Sequence, residues 1–171
     1  MFYYTFNTKI GWITALSSDL GILKISLPEK SSEISDSQFK NEINLYEFDS
    51  RKFKEIIEKI QSYFDGYLTD FTDITIDFSQ MSDFQKATLN QCRKIKPGET
   101  RSYKWVGEKI NHPKAWRAIG NALSKNPVPI IIPCHRVICS NGTLGGYMGK
   151  MKKNNFKNKL LEIEFNELNN H

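Results

Sequence analysis

Two side chains capable of covalent chemistry stand next to each other at Cys134-His135, inside the run Pro133-Cys134-His135-Arg136-Val137. The apolar stretch Val128-Pro129-Ile130-Ile131-Ile132 leads directly into them, so thiol and imidazole fall where a buried segment meets a proline-enforced turn. A thiol reacts as its thiolate, and a neighbouring base or cation makes thiolate available near neutral pH. Taken alone, the pair has a second reading, because cysteine is among the most buried residue types and behaves as a small hydrophobe. The three cysteines, Cys92, Cys134 and Cys139, are too few and too scattered for a disulfide framework or a zinc cage. No metal is implied, and a reducing cytoplasm is the expected setting.

The patterning on either side of the pair predicts what holds it. Ser82 with Gln85 forms a candidate capping box for a helix over Phe84 to Ile95, which Pro97-Gly98 ends. A short helix over Tyr103 to Ile110, a break at Asn111-His112-Pro113 and a second helix from Lys114 to about Ser124 give the outline of a helix-turn-helix. Downstream, Asn141-Gly142 is a hairpin signal, with a Gly-rich strand Gly145-Gly146-Tyr147 after it. A last amphipathic helix is expected from about Lys152 to Glu164. In the first 27 residues apolar and polar positions alternate, with breaks at Asn7-Thr8-Lys9 and Ser18-Asp19-Leu20-Gly21, which reads as a small antiparallel sheet. The polar stretch Glu29 to Asn44 reads as a loop, and Phe53, Ile56, Ile57, Ile60 and Phe64 repeat at helical spacing up to Gly66. The class is α+β, with an N-terminal supporting α/β domain over 1–82 and a second domain over 83–171. The first carries no evident chemistry of its own.

A chain of 171 residues is long enough to bury a core, and 39% hydrophobic content places it with globular rather than disordered proteins. No apolar run is long enough to span a bilayer, and Met1-Phe2-Tyr3-Tyr4-Thr5-Phe6-Asn7 reads as a strand rather than a secretory signal. The net charge of +5 hides an asymmetry: residues 1–82 hold 8 Lys/Arg against 13 Asp/Glu (−5), and residues 83–171 hold 16 against 6 (+10). A basic half carrying the thiol suggests a polyanionic partner, with a solvated Lys-rich surface as the alternative.

Together these motifs resemble the O6-alkylguanine-DNA alkyltransferases. Asn126-Pro127-Val128-Pro129-Ile130-Ile131-Ile132-Pro133-Cys134-His135-Arg136-Val137 is similar to that family's active-site signature. Arg117-Ala118-Ile119-Gly120 resembles its recognition helix, Ser102-Tyr103 the preceding helix, and Gly145-Gly146-Tyr147 its active-site loop. The likeness covers roughly residues 83 to 164 and is only architectural before that.

The resemblance implies a ribonuclease-H-like N-terminal domain and a C-terminal winged helix-turn-helix domain. The protein would bind double-stranded DNA through the minor groove as a monomer and flip out O6-alkylguanine or O4-methylthymine. It would then move the alkyl group irreversibly onto its own cysteine, once per molecule and with no cofactor. Cys134 would be the nucleophile, His135 its base and Glu164 the carboxylate that orients His135, with Glu162 the local competitor. Tyr103 would donate to the departing base. Arg117 would enter the base stack, and Ser102, Ala118, Trp116 and Gly120 would contact DNA. Asn126 would tie the recognition helix to the active-site turn, while Pro129, Val137, Tyr147 and Met148 would shape the base pocket.

Some positions depart from the family pattern. Met148 stands where serine is common, Trp116 where a small residue or proline is common, and Ile163 where histidine is frequent. Lys150, Lys152, Lys153 and Lys157 form a basic run whose alternative reading is a solvated helix face. Two other functions compete: a damage sensor that keeps the pocket without transfer, and a thiol hydrolase built on Cys134-His135. The present cysteine argues against the first, and the helix-turn-helix with Arg117 is unexplained by the second.

Overall fold

In a computed structural model of the chain, residues 1–148 and 154–169 are described. They divide into two compact units, residues 1–79 with 127–129, and residues 80–126 with those from 130 onward.

The first unit is built on a hairpin of β1 (Phe2–Thr8) and β2 (Gly11–Ser18), which pair antiparallel from Phe2↔Ser17 to Thr8↔Gly11. Strand β3 (Gly21–Ile25) adds to β2, and the two-residue β4 (Glu47–Phe48) adds to β1 in parallel, in the order β3-β2-β1-β4. The sheet is therefore mixed rather than purely antiparallel. Ile13 to Ser17 of β2 are all buried, and Ile13, Ala15, Ile22 and Ile25 belong to the core with Phe53, Ile56, Ile60 and Phe64. The last three lie on α3 (Lys54–Phe64), at the spacing that keeps one helical face buried.

The stretch expected to be a loop folds instead into α1 (Ser32–Ser37) and α2 (Lys40–Ile43). Ser31 caps α1 by accepting from the Ile34 N–H, and the anchor to the sheet is polar. The Thr14 hydroxyl, on β2, meets Ser35 Oγ at 2.7 Å and Asp36 Oδ1 at 2.9 Å in a buried cluster. The buried residue of α1 is therefore Ser35, and the helix carries no apolar stripe.

The second unit holds three mutually packed helices, α4 (Asp83–Arg93), α5 (Tyr103–Lys109) and α6 (Trp116–Ser124). Ser82 caps α4 by accepting from the Gln85 N–H, and Ser102 caps α5 by accepting from the Trp105 N–H. Helix α6 starts two residues later than expected, because Ala115 N–H bonds the His112 carbonyl and keeps 113–115 in a turn. Gly107 lets α5 approach that turn: a Cβ there would lie 2.8 Å from the His112 carbonyl oxygen and 3.0 Å from Ile119 Cδ1.

A two-residue parallel ladder pairs β5 (Arg101–Ser102) with β6 (Val137–Ile138). Asn141-Gly142 does form a tight turn, closed by the Cys139 N–H on the Thr143 carbonyl and the Gly142 N–H on the Cys139 carbonyl. Of the expected strand Gly145-Gly146-Tyr147, the two glycines are irregular and Tyr147 makes only an isolated bridge. The last helix, α7 (Asn154–Asn169), runs past Glu164. Its expected start at Lys152, with Lys150 and Lys153, lies outside the described residues. Among the described residues no helix is long and apolar enough to cross a membrane.

Candidate active site

Cys134, His135 and Arg136 form one 3-10 turn, started by Pro133 and pinned by the Cys134 N–H on the Ile132 carbonyl. Just upstream, Ile130 is fully buried with φ +75°. That left-handed backbone is costly for a β-branched residue, and it turns the chain sharply before the reactive segment. Asn126, at the end of α6, is 1% exposed and donates its side-chain N–H to the Ile132 carbonyl at 2.9 Å and to Cys134 Sγ at 3.2 Å. It thus touches the thiol itself as well as the turn.

Of the two candidate carboxylates, Glu164 meets the histidine. Its Oε1 lies 2.8 Å from His135 Nε2, both side chains being wholly buried, whereas the exposed Glu162 accepts from Asn158. Glu164 also accepts from Arg136 Nε and Nη2 at 2.9–3.1 Å and from the Gly98 N–H at 3.1 Å. Arg136 completes its fork on the Ile95 carbonyl. Burial works to raise the Glu164 pKa, but the His135 and Arg136 contacts outweigh it and hold it at about 2. An ionised carboxylate only accepts, so His135 Nε2 carries the hydrogen and Nδ1 is the basic nitrogen. Burial also lowers the His135 pKa below its ordinary value, against the pull of Glu164, so the ring is neutral at pH 7.

Cys134 is 5% exposed, and burial raises its pKa more than Asn126, Lys157 and Tyr147 lower it. The resting side chain is a thiol beside a neutral base, the arrangement a general-base step requires. It opens onto a cleft of about 160 Å³ whose walls include Tyr103, Gly120, Gly146, Tyr147 and Met148. Desolvation first, then the nearby thiols, push the Tyr103 pKa to about 12, so its phenol stays protonated and can only donate toward an anion. Gly145, at φ +66°, brings the loop backbone so close that a Cβ would sit 3.2 Å from the Tyr103 hydroxyl. Met148, another lining residue of the cleft, also has positive φ, +48°. A larger cleft in the first unit, about 360 Å³ beside Ser17–Ile22, offers no thiol or imidazole; chemistry rather than size selects the site.

The remaining sequence candidates are spread out. Trp116, Arg117 and Ala118 are exposed on the first turn of α6, and the Arg117 guanidinium stacks 4.7 Å over the Trp116 ring. Ser102 spends its oxygen on the cap of α5, while Gly120 faces the Tyr103 ring. Val137 is buried in β6, and Pro129 is buried in the segment that groups with the first unit. Sequence patterning did not single out Arg136 or Lys157. The signal for Arg136 was a cation in an apolar run, which demands a buried partner. Lys157, read as part of a solvated basic run, is instead 0% exposed. Its signal was its spacing to Leu160, Leu161 and Glu164, which puts all four on one helical face.

Residues 83–166 match the family described as "6-O-methylguanine DNA methyltransferase, DNA binding domain", and residues 1–78 match its ribonuclease-like domain. A methylated-DNA–protein-cysteine methyltransferase of Methanosarcina acetivorans is 36% identical over 166 residues, covering 96% of this chain and 98% of that one. The chain belongs to the 6-O-methylguanine DNA methyltransferase family. A homologue from Metallosphaera sedula is also 36% identical, over 95% of this chain and 92% of its own. The crystal structure of Mycobacterium tuberculosis OGT in complex with DNA superposes with a TM-score of 0.79 at 32% identity, covering 98% and 94% of the two chains. A methyltransferase of this family is a DNA repair protein that is consumed in one turnover, its own cysteine receiving the alkyl group. Its fold is an N-terminal α/β unit with a small sheet and a helical C-terminal unit.

Proposed function

We propose that Cys134 is the alkyl acceptor and O6-alkylguanine in duplex DNA the substrate. The observation that carries this reading is the buried His135–Glu164 pair adjoining Cys134 in one turn, with Cys134 opening on a cleft walled by Tyr103 and Tyr147. His135 Nδ1 takes the thiol proton through a water, and the thiolate attacks the alkyl carbon in line with its bond to O6. The S–C bond forms as the C–O6 bond breaks. The electron pair stays on the guanine, which Tyr103 steadies with its hydroxyl hydrogen until a proton returns to the base. Asn126 holds the sulfur in position throughout. O4-methylthymine presents the same ether chemistry and is proposed as a second substrate.

The base reaches the cleft by flipping, with α6 and its Arg117 entering from the minor groove. Arg117 rests on Trp116 in the free protein, a contact worth about 0.5–1 kcal/mol at an exposed site, so it leaves the ring at small cost. The basic second half of the chain supplies phosphate contacts. The protein is proposed to act as a cytoplasmic monomer.

Peptide mass spectrometry after mixing the protein with a duplex carrying one O6-methylguanine is the direct test. A single methylene increment on the Cys134 peptide, saturating at one per protein, is expected; tight binding with no increment overturns the proposal. Arg117→Ala is expected to slow transfer from the duplex by about tenfold or more while leaving transfer from free O6-benzylguanine near wild type, since only the duplex requires flipping. Equal slowing of the two reactions removes the finger role.

A further inference from the structure

Trp116 is 52% exposed, while the other two tryptophans, Trp12 and Trp105, are half-buried. Its place on α6 follows from helical spacing. Gly120, Leu123 and Ser124 line the cleft onto which Cys134 opens, and Trp116 lies four residues before Gly120, so it shares their row on the helix surface. Four residues are about 6 Å of helix axis. Helical side chains lean toward the N-terminus of their helix, so the indole stands at the outer lip of the cleft and stays out of its walls.

One face of the ring is covered, by the Arg117 guanidinium at 4.7 Å. An exposed indole under one cation is by itself an ordinary surface contact. Here the cation is the side chain proposed to leave. When Arg117 enters the base stack, the ring loses its cover just as the departing nucleotide bares the face of its neighbour in the duplex. Stacking the two uncovered faces on one another removes both from water. The surroundings suit a nucleic acid: the first turn of α6 holds no carboxylate, and the exposed Lys114 precedes it, so nothing in that turn repels a phosphate backbone.

We propose that Trp116 is a second stacking residue of the DNA interface: as Arg117 leaves for the duplex, the uncovered indole stacks on the base that flanked the lesion on its strand. The indole exchanges a guanidinium for a base, and no covalent bond is made or broken. Trp116 thereby helps to hold the duplex open without touching the reacting atoms. The inference rests on Arg117 being the side chain that enters the stack.

The sign of one substitution separates this role from that of a resting place. A ring that only parks Arg117 holds it back, so Trp116→Ala would speed transfer from a duplex or leave it unchanged. A ring that stacks on DNA does the opposite. Trp116→Ala is expected to lower transfer from an O6-methylguanine duplex, relative to transfer from free O6-benzylguanine, by about fivefold or more. Trp116→Phe keeps an aromatic face and is expected to recover most of that loss; Trp116→Leu keeps only apolar bulk and is expected to recover little. A duplex rate for Trp116→Ala at or above wild type overturns the proposal, and so does equal recovery by phenylalanine and leucine.

A second measurement reads the stack itself. In the Cys134→Ala background, which leaves the lesion unreacted, the fluorescent base 2-aminopurine is placed beside O6-methylguanine on the same strand. It brightens as its neighbour departs and dims when an aromatic ring covers it. The bound duplex is expected to be brighter with Trp116→Ala than with the indole present, and equal brightness overturns the proposal. Equal slowing of duplex and free-base transfer by Arg117→Ala would be a different failure, that of the finger on which this inference rests.

Discussion

Cys134→Ala is expected to abolish alkyl transfer while leaving the affinity for duplex DNA within about twofold of wild type, because phosphate contacts carry most of such binding. The substitution removes one buried sulfur from a side chain already 5% exposed. Asn126 loses its bond to Sγ but retains the Ile132 carbonyl, so the turn keeps one of its two ties. The cavity left by a single sulfur costs about 1 kcal/mol, too little to unfold a domain. Fluorescence anisotropy on an O6-methylguanine duplex, followed by intact mass measurement of the same sample, reads both halves of the expectation. A stoichiometric mass increment on the alanine protein would place the acceptor elsewhere, with Cys139 and Cys92 the remaining thiols.

Glu164→Gln is expected to be damaging twice over. Glutamine offers Arg136 no counter-charge, and leaving a buried guanidinium uncompensated costs about 3–5 kcal/mol. A drop in melting temperature on the order of 10 °C follows for a chain of this size. Below the melt, transfer is expected to fall by about 100-fold or more, because the His135 tautomer is no longer held with Nδ1 basic. Raising the pH should narrow this deficit, since the thiol then ionises without a base. A deficit that stayed constant with pH would mean that Glu164 acts only through stability.

The acid limb supplies a second reading of the same variant. Glu164 titrates at about 2 in the folded protein against an ordinary value of 4.5. A depressed carboxylate contributes stability that is complete above the unfolded value and is lost as pH falls from about 4.5 toward 2. Wild type should therefore lose stability across that window more steeply than Glu164→Gln. Parallel curves would show that the carboxylate carries no such linkage.

How much of this was legible in the sequence depends on what each element uses to hold itself. Helix α3 announces itself through Ile56, Ile60 and Phe64, and α4 through the Ser82 cap, because apolar spacing and capping are local signals. Helix α1 does not, since Ser35 and Asp36 dock by hydroxyl and carboxylate contacts to Thr14, a residue remote in sequence. The Cys134-His135 pair stood out as chemistry, but nothing within the turn distinguishes Glu164 from Glu162. Only the path of α7 does, by aiming one of them at His135 and the other at Asn158. Lys157 was obscured by its lysine neighbours, which made a core position resemble a charged surface. Arg136 carries no local signal of its partner, because the Glu164 carboxylate that it meets lies 28 residues away. Asn141-Gly142 shows the opposite limit: its turn chemistry was read correctly, yet the residues after it do not form the strand that such a turn usually joins.

The carboxylate of Glu164, on α7, gathers donors from two distant stretches of chain, at Gly98 and at His135-Arg136. The separations run from 28 to 66 residues, so closing these contacts demands long loops and belongs late in folding. Until α7 docks, the imidazole is free to adopt either tautomer and the cysteine is an ordinary thiol. Reactivity toward alkylated bases is thus acquired with the last steps of folding, and a newly made chain carries no primed nucleophile before its fold is complete.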